Sequence, residues 1–493
     1  MARHIPLKNQ DPRLLEAARK VAEQVPKAML VGGFVRDALL GIPSKDADLE
    51  TYGIGAEELE RVLKNIFGDK VETVGRSFGV FKIPLGEGLD LDVAIPRRES
   101  KTGPGHKGFE VVGDPELDPT EAARRRDFTM NAMSADPVSG ELFDPFHGQK
   151  DLEEKRLRVV DPSTFVDDPL RVYRGIQFAA RFNLAIEPAS NELMRLMVSR
   201  GDLDELSNER VTDEWKKLLL KAPQPSVGFE LMRKLGIIRK YFPELHALID
   251  TPQEVEWHPE GDVWIHTLMV LDEAARVSRR EYHTDEERLQ VLVGALCHDL
   301  GKPSTTAPGE KDGVMRIRSL GHEEAGVAPT EALLSRFTFG EKVNHAAIIC
   351  AKEHLKPGML MRQVVNKKEL TEETYANAVR KLLKRIEPLP WRVYLAVSES
   401  DHMGRGLPDS RPQSYEAGDL FAKTVEKILN AAEHKPLLYG RDLEALGMKP
   451  GPLMGRLIAE VERLRDEGVI KTREQALAHI TRFTFTSNPF EKK

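Results

Sequence analysis

The chain has little cysteine: Cys297 and Cys350 are the only two among 493 residues. That excludes a disulfide framework and a cysteine-rich zinc site. Long apolar runs are missing as well. Stretches such as 291–297 fall far short of the ~20 residues needed to span a bilayer, and the N-terminus has no apolar core followed by a small-residue cleavage site. The expectation is a cytoplasmic protein with no membrane partner. There is no repeat with a period of about 20 to 50 residues, and no long low-complexity segment. Nor is there a surplus of positive charge: 72 Lys and Arg stand against 79 Asp and Glu, a formal net charge of −7. Such a chain does not coat nucleic acid non-specifically, although a local basic groove stays open to it. What is present is 40% apolar residues, enough for packed cores, over a length that corresponds to about three or four domains.

Up to about Gly148 short β-type runs (29–31, 80–84, 89–95) alternate with helical ones (34–40, 56–66), which reads as α/β or α+β. From Leu152 onward strand patterns nearly vanish, and amphipathic segments such as 172–182, 213–220 and 227–235 follow between Pro and Gly breaks. The breaks divide the chain into a mixed head at 1–149, helical stretches at 150–224 and 225–410, and a helical tail at 411–493.

The head carries the first chemistry. Val31-Gly32-Gly33-Phe34-Val35-Arg36 runs from an apolar strand through a glycine pair into a helix, a turn that lets backbone N–H groups approach a phosphate. Shortly after comes Asp46-Ala47-Asp48, read as a strand, so that the two carboxylates project together. Side by side without a cation they repel, and Mg²⁺, held by one or two carboxylates plus phosphate oxygens, resolves the conflict. A second acidic strand offers Asp90 and Asp92. Asp92, deeper in the apolar run, is the preferred third ligand.

These blocks resemble the signature of class II nucleotidyltransferases of the polymerase-beta superfamily, namely the enzymes that add CCA to tRNA 3′ ends and the related bacterial poly(A) polymerases. The glycine turn and Asp46-Ala47-Asp48 are followed in the family's order by Arg125-Arg126-Asp127-Phe128-Thr129-Met130-Asn131-Ala132, by Asp144-Pro145-Phe146-His147-Gly148 and by Asp167-Asp168-Pro169-Leu170-Arg171-Val172-Tyr173-Arg174. Asp167 stands where the family usually has Glu. The resemblance implies a polymerase-beta-like head followed by a helical neck, with tRNA 3′ ends, ATP and CTP as partners and no obligate protein partner. Asp46 and Asp48 would hold Mg²⁺ as the catalytic carboxylates. Gly33, Arg36, Arg126, Asp168, Arg171 and Arg174 would contact the nucleotide. Asp168 and Arg171, three apart, share a helix face, where a carboxylate and a guanidinium imitate a complementary base edge. The segment 96–108, with Arg97, Arg98, Lys101 and Lys107 among glycines and prolines, reads as a mobile basic loop touching RNA. In the resembled family this loop helps the switch from CTP to ATP.

A second constellation lies in the body. His266, His298-Asp299 at the end of an apolar helix, and Asp401 are suitable ligands for a divalent metal, and His322 and His354 could add a second ion. His298-Asp299-Leu300-Gly301-Lys302 resembles the HD phosphohydrolase superfamily, which implies an HD body with phosphatase or 2′,3′-cyclic phosphodiesterase chemistry. The tail resembles that of HD-containing members and would contact the tRNA elbow. Three alternatives to CCA addition stay open: poly(A), CC-only or A-only addition; HD hydrolysis as the main activity; and a non-catalytic RNA scaffold. With a net acidic chain and only a local basic track to hold RNA, tRNA binding is expected to weaken steeply as salt rises. Binding isotherms at stepwise NaCl check this, and a salt-independent affinity contradicts it.

Overall fold

Alternation in two short strands sets the head. In β2 (Asp46–Tyr52), Ala47 and Leu49 are buried while Asp46 and Asp48 stand on the opposite face, and β5 (Leu89–Ala94) likewise buries Leu89, Leu91 and Val93. With β1 (Lys27–Val31), β3 (Glu72–Gly75), β4 (Val80–Gly86), β8 (Ser134–Ala135) and β9 (Leu142–Phe143) they form a seven-stranded sheet of order β3-β4-β5-β2-β1-β8-β9. The neighbours β2 and β5 run parallel, in the register Asp46↔Asp90 and Asp48↔Asp92. Helices α1 (Pro12–Ala22) and α3 (Ala56–Phe67) pack on the sheet and bury Leu14, Val21, Leu59 and Leu63. The short α2 (Gly33–Leu39) leaves β1 through Gly32, whose φ of +67° favours glycine.

This computed structural model describes residues 4–75, 79–101, 109–280, 284–311, 313–366, 371–431 and 436–485. It divides into two compact units, Met1–Pro243 with Arg336–Thr338, and Glu244–Ser335 with Phe339–Lys493. In the first unit the neck helices α4 (Leu170–Phe182) and α5 (Asn208–Lys221) pack on each other. Phe128, fully buried, meets Phe165 and Phe178 edge-on at 5.5 and 6.1 Å between ring centroids and joins the head to α4. Asp144 accepts from the N–H groups of Gly148 and Gln149 at 2.7 and 3.0 Å, capping the helix Gly148–Glu153. That contact gives Asp144-Pro145-Phe146-His147-Gly148 a structural meaning.

The segment 96–108 differs from the expected loop. Its arms are the antiparallel strands β6 (Arg97–Lys101) and β7 (Phe109–Gly113), paired from Arg97↔Gly113 to Lys101↔Phe109. Val112 supplies a β-branched residue that suits a ladder. Its tip, with Lys107, and the side chain of Lys101 lie outside the described residues.

The second unit is built on α6 (Val263–Arg280), α7 (Asp285–Cys297), α8 (Glu341–Glu353) and α9 (Trp391–Met403). It also holds an antiparallel pair that the sequence pattern did not announce, β10 (Thr306–Lys311) with β11 (Val314–Ser319). Thr306-Ala307-Pro308-Gly309 has no apolar alternation, and the turn depends on Gly313 at φ +77°. In the tail, Leu443, Leu457, Val461 and Ile480 centre a separate small core. Among the described residues no helix is long and apolar enough to cross a membrane.

At Gly148 an added Cβ would lie 2.2 Å from the Thr129 carbonyl oxygen, a backbone atom that cannot step aside. Gly148→Ala is expected to cost about 1–3 kcal/mol, read as a lower urea midpoint by the fluorescence of buried Trp215, with an unchanged midpoint counting against this packing.

Candidate nucleotide and metal sites

Between the head sheet and the neck lies a cleft of about 700 Å³. Its walls include Asp48, Asp92, Glu50, Arg126, Asp168 and Arg171. The parallel register of β2 and β5 sets Asp48 beside Asp92, on strands ~4.8 Å apart. Asp46 is exposed one pleat earlier on β2, and its charge reaches both. Confinement at the cleft floor pushes the Asp48 carboxyl above its ordinary range; Arg126 opposes the shift, while Asp92, Glu50 and Asp46 add to it. Asp92 is raised too, by burial first and then, against the pull of Lys82, by Asp90 and Asp46. One Asp92 oxygen is buried without a hydrogen-bond partner. Asp90, by contrast, is committed to Lys82 at 2.7 Å. Three crowded carboxylates with an unanswered oxygen fit a divalent cation with oxygen ligands.

The cations of the cleft are held by acids and carbonyls. Buried Glu50, next after Asp48 on the same strand face, accepts from Arg126 at 2.9 Å, Arg125 at 3.4 Å and the Tyr52 hydroxyl at 2.9 Å. Burial alone would raise its carboxyl, yet Arg126 and Arg125 hold it below the ordinary range. A Cβ on Gly32 would meet the Arg126 guanidinium at 2.6 Å, so this glycine gives that side chain its room. At Gly33 the corresponding Cβ would lie 3.5 Å from Arg36. Arg36 is 4% exposed; it pairs with Asp37 at 2.7 Å, donates to the Asn131 side chain at 2.6 Å and lies over the rings of Phe178 and Phe182. Its charge thus stiffens the joint between head and neck as well as lining the cleft.

Asp168 and Arg171 both line the cleft, but they do not share a helix face. α4 begins at Leu170, because Pro169 keeps the residue before it out of the helical region. Asp168 accepts both of its 3.0 Å bonds from Arg210 on α5, and Arg171 donates to the carbonyls of Thr164 and Arg125 at 2.8 Å each. Arg174 pairs with buried Asp127 at 2.7 Å. Further along, Arg181 on α4 and Lys217 and Lys221 on α5 extend the cationic wall. Arg97 lines the cleft, whereas Arg98 is paired with Asp114 at 2.7 Å.

The second unit holds a buried centre. His298 Nε2 lies 3.1 Å from Asp299 Oδ2, His266 Nε2 3.2 Å from Asp401 Oδ1 and 3.6 Å from Asp299 Oδ2, and His298 Nε2 3.9 Å from Asp401. On the other side of Asp299, Oδ1 faces His322 at 3.5 Å and His354 at 3.9 Å. Each ring is oriented through its Nδ1: His298 to Ala295 O at 2.7 Å, His322 to Ser319 O at 2.7 Å, His354 to Cys350 O at 3.0 Å, and His266 to Glu260 at 2.9 Å. That leaves the Nε2 lone pairs aimed inward. Burial, then His298, pushes His354 down to about 3, which keeps it a neutral ligand. His298 Nε2, His322 Nε2 and Asp299 Oδ1 are buried without a hydrogen-bond partner, while Asp299 Oδ2 faces the Lys302 ammonium at 2.7 Å. Such a donor set fits a transition-metal ion, which His266, His298, Asp299 and Asp401 would hold, with His322 and His354 as further nitrogen donors.

Sequence reasoning passed over several of these residues. Glu50 continues the alternation Asp46, Asp48, and Glu260 stands six residues before His266, so both had a local signal. Arg210 had none, being 42 residues from Asp168. Lys302 on Asp299 at 2.7 Å and Arg405 on Asp401 at 2.5 Å complete the charge balance of the buried centre.

Three family models match the chain: the poly A polymerase head domain over residues 28–158, a probable RNA and SrmB-binding site of polymerase A over 183–249, and the HD domain over 263–390. The chain is 37% identical over 445 residues to the multifunctional CCA protein of Xanthomonas campestris pv. campestris, covering 88% of this chain and 96% of that protein. Its fold resembles the apo form II of a CCA-adding enzyme (TM-score 0.64, 22% identity, 97% of each chain). It also resembles the Thermotoga maritima CCA-adding enzyme complexed with tRNA (TM-score 0.58, 21% identity, 97% of this chain and 99% of that one).

The raised carboxyl of Asp48 has a consequence for stability. Ionisation is less favourable in the folded than in the unfolded chain, so at neutral pH this group opposes folding, and the opposition fades as pH falls through the folded-state value. In metal-free protein at pH 7, Asp48→Asn is therefore expected to raise the thermal midpoint, while added Mg²⁺ stabilises the wild type and not the variant. Differential scanning fluorimetry with and without Mg²⁺ checks both signs.

Proposed function

Because the chain belongs to the bacterial family of CCA-adding enzymes and poly(A) polymerases, we infer that it extends tRNA 3′ ends without a template, adding CCA from CTP and ATP. The observation that carries this reading is the joining, in one cleft, of the paired carboxylates Asp48 and Asp92 with the carboxylate of Asp168 and the guanidinium of Arg171. In the reaction the 3′ hydroxyl of the RNA attacks the α-phosphorus in line, the bond to the β-phosphate oxygen breaks, and pyrophosphate leaves. Asp46 and Asp48, with Asp92, would hold Mg²⁺, which when bound stabilises the attacking and leaving oxygens.

The chain's own groups supply position and charge. Asp168, held by Arg210, offers carboxylate oxygens to the exocyclic amine of cytosine or adenine. Arg171, fixed by two carbonyls, donates to the ring nitrogen or carbonyl beside it. Uracil and guanine do not present an amine in that place, and the pair rejects them. The backbone at Gly33 admits the phosphates closely, with Arg36 behind it, while Arg126 and Arg174 neutralise triphosphate or ribose-side charge. Arg181, Lys217 and Lys221 continue the cationic wall toward the RNA backbone, and Arg97 contributes from the hairpin. These substrates put the enzyme's work in the cytoplasm.

For the second unit we propose metal-dependent hydrolysis of phosphate esters at RNA ends, with His266, His298, Asp299 and Asp401 around one ion and His322 and His354 adding a second. The specific support is a set of buried, oriented ligand atoms close enough to share an ion, among which His298 Nε2, His322 Nε2 and Asp299 Oδ1 have no hydrogen-bond partner.

Transcripts of tRNA ending before CCA or after CC, incubated with CTP, ATP or both, test the main reading. CTP alone is expected to give CC, ATP alone to complete the CC form, and both together to give CCA. Poly(A) tails on unrelated RNA without CCA overturn it. Asp46→Ala abolishes addition and leaves any hydrolysis at the second centre intact; His298→Ala does the reverse. Arg210→Ala, which frees the Asp168 carboxylate, raises KM for CTP and ATP about tenfold, the ~1.4 kcal/mol of one lost charged hydrogen bond. It also relaxes exclusion of UTP, as incorporation assays with each nucleotide alone will read out.

A further inference from the structure

The second unit has a cleft at the pole opposite its histidine and aspartate centre, and both are made by the same three helices. Glu286 and Gln290 come from the first half of α7, Glu341 and Lys342 from the first turn of α8, and Leu389 and Pro390 directly precede α9. At their other ends these helices deliver His298 and Asp299, His354, and Asp401. Each helix has 13 residues, so cleft and centre stand about 20 Å apart. The three run side by side in one direction and pack closely. At Gly294 on α7 a Cβ would lie 3.1 Å from Val397 on α9 and 3.2 Å from Cys350 on α8, leaving no slack at mid-length.

The chemistry of the cleft points to one kind of occupant. Its volume is about 540 Å³, within the usual range for small-molecule sites. Leu389 between Pro388 and Pro390 makes an apolar wall suited to a flat ring. Glu286 and Lys342 neutralise each other at 2.9 Å. The acids in the first turns of α7 and α8 answer the positive ends of those helices, so no surplus positive charge awaits a phosphate. Two acceptors stay available. Glu341 lines the cleft, and so does Gln290, a residue only 5% exposed whose amide oxygen has no hydrogen-bond partner. An apolar wall with acceptors at its edge suits an uncharged heterocycle bearing an exocyclic amine.

We propose that this cleft binds an uncharged, amine-bearing heterocycle of nucleoside size, and that its occupancy is coupled through the three helices to metal affinity at the far centre. A ligand that bridges the N-terminal ends fixes their spacing. Close-packed helices without slack pass that spacing to the ends that carry the metal ligands. The coupling is reciprocal: metal at the centre changes ligand affinity by the same factor.

Isothermal titration of the full chain with adenosine, cytidine, uridine and AMP tests the site. Adenosine or cytidine is expected to bind saturably, with uridine and AMP at least about tenfold weaker. Gln290→Leu, which removes the acceptor at the floor, and His345→Trp, which fills the mouth from an exposed position, each weaken binding about tenfold or more. Co²⁺ affinity, read from its visible absorption, shifts at least about threefold when the nucleoside is present. Failure of both nucleosides to bind overturns the proposal. So does binding that His345→Trp leaves unchanged, or AMP binding more tightly, either of which puts the ligand in the head cleft. An unshifted Co²⁺ affinity with the nucleoside bound overturns the coupling. All these readouts are independent of nucleotide addition.

Discussion

The head depends on one electrostatic constraint: β2 and β5 pair in parallel and set carboxylates side by side. Like charges at that spacing raise one another's pKa and oppose folding unless cations answer them. The answer is a chain of partners that leads away from the strand. Glu50 takes Arg126 and Arg125; the backbone of Arg125 takes Arg171; Asp127 takes Arg174; and Asp168 takes Arg210. Neutralising the sheet thus also docks the neck, and the cleft for a nucleotide is the space this network leaves open. Asp48 and Asp92 remain under-compensated, and their carboxyls stay raised.

The buried centre of the second unit solves a related problem in a drier setting. The imidazoles of His298, His322 and His354 are tied through Nδ1 to backbone carbonyls, while Lys302 and Arg405 balance Asp299 and Asp401. Glu260 holds His266, His258 and the Gly406 N–H together. Orientation by outer partners, more than the ligands alone, makes the donor set suited to a metal.

The net charge of −7 acquires a different meaning in this light. Many acids that weigh against nucleic acid in the overall count sit on solvated helices in exposed ion pairs, such as Glu16 with Lys20 and Glu230 with Arg233, and others are answered by arginines inside the cleft. The cations on α4 and α5, brought onto one wall, make a local basic track that no overall count reveals.

Where chemistry depends on neighbours in sequence, the chain alone determined it. The alternation of Asp46 and Asp48, the glycine turn before Arg36, and His298-Asp299 at an apolar helix end are all patterns within a few residues, and period and residue type carry them. Pairing across the fold decided the rest. Asp168 lies before its helix and its carboxylate finds Arg210 rather than the Arg171 side chain, because Pro169 keeps the residue before it out of the helical region and α5 packs alongside. The arms of the basic loop pair as strands, and a hairpin interrupts the helical unit, since register between separate segments is set by packing and turn geometry that leave only faint local marks. Local periodicity is written in the chain. Which distant charge answers which is settled only when the chain has folded.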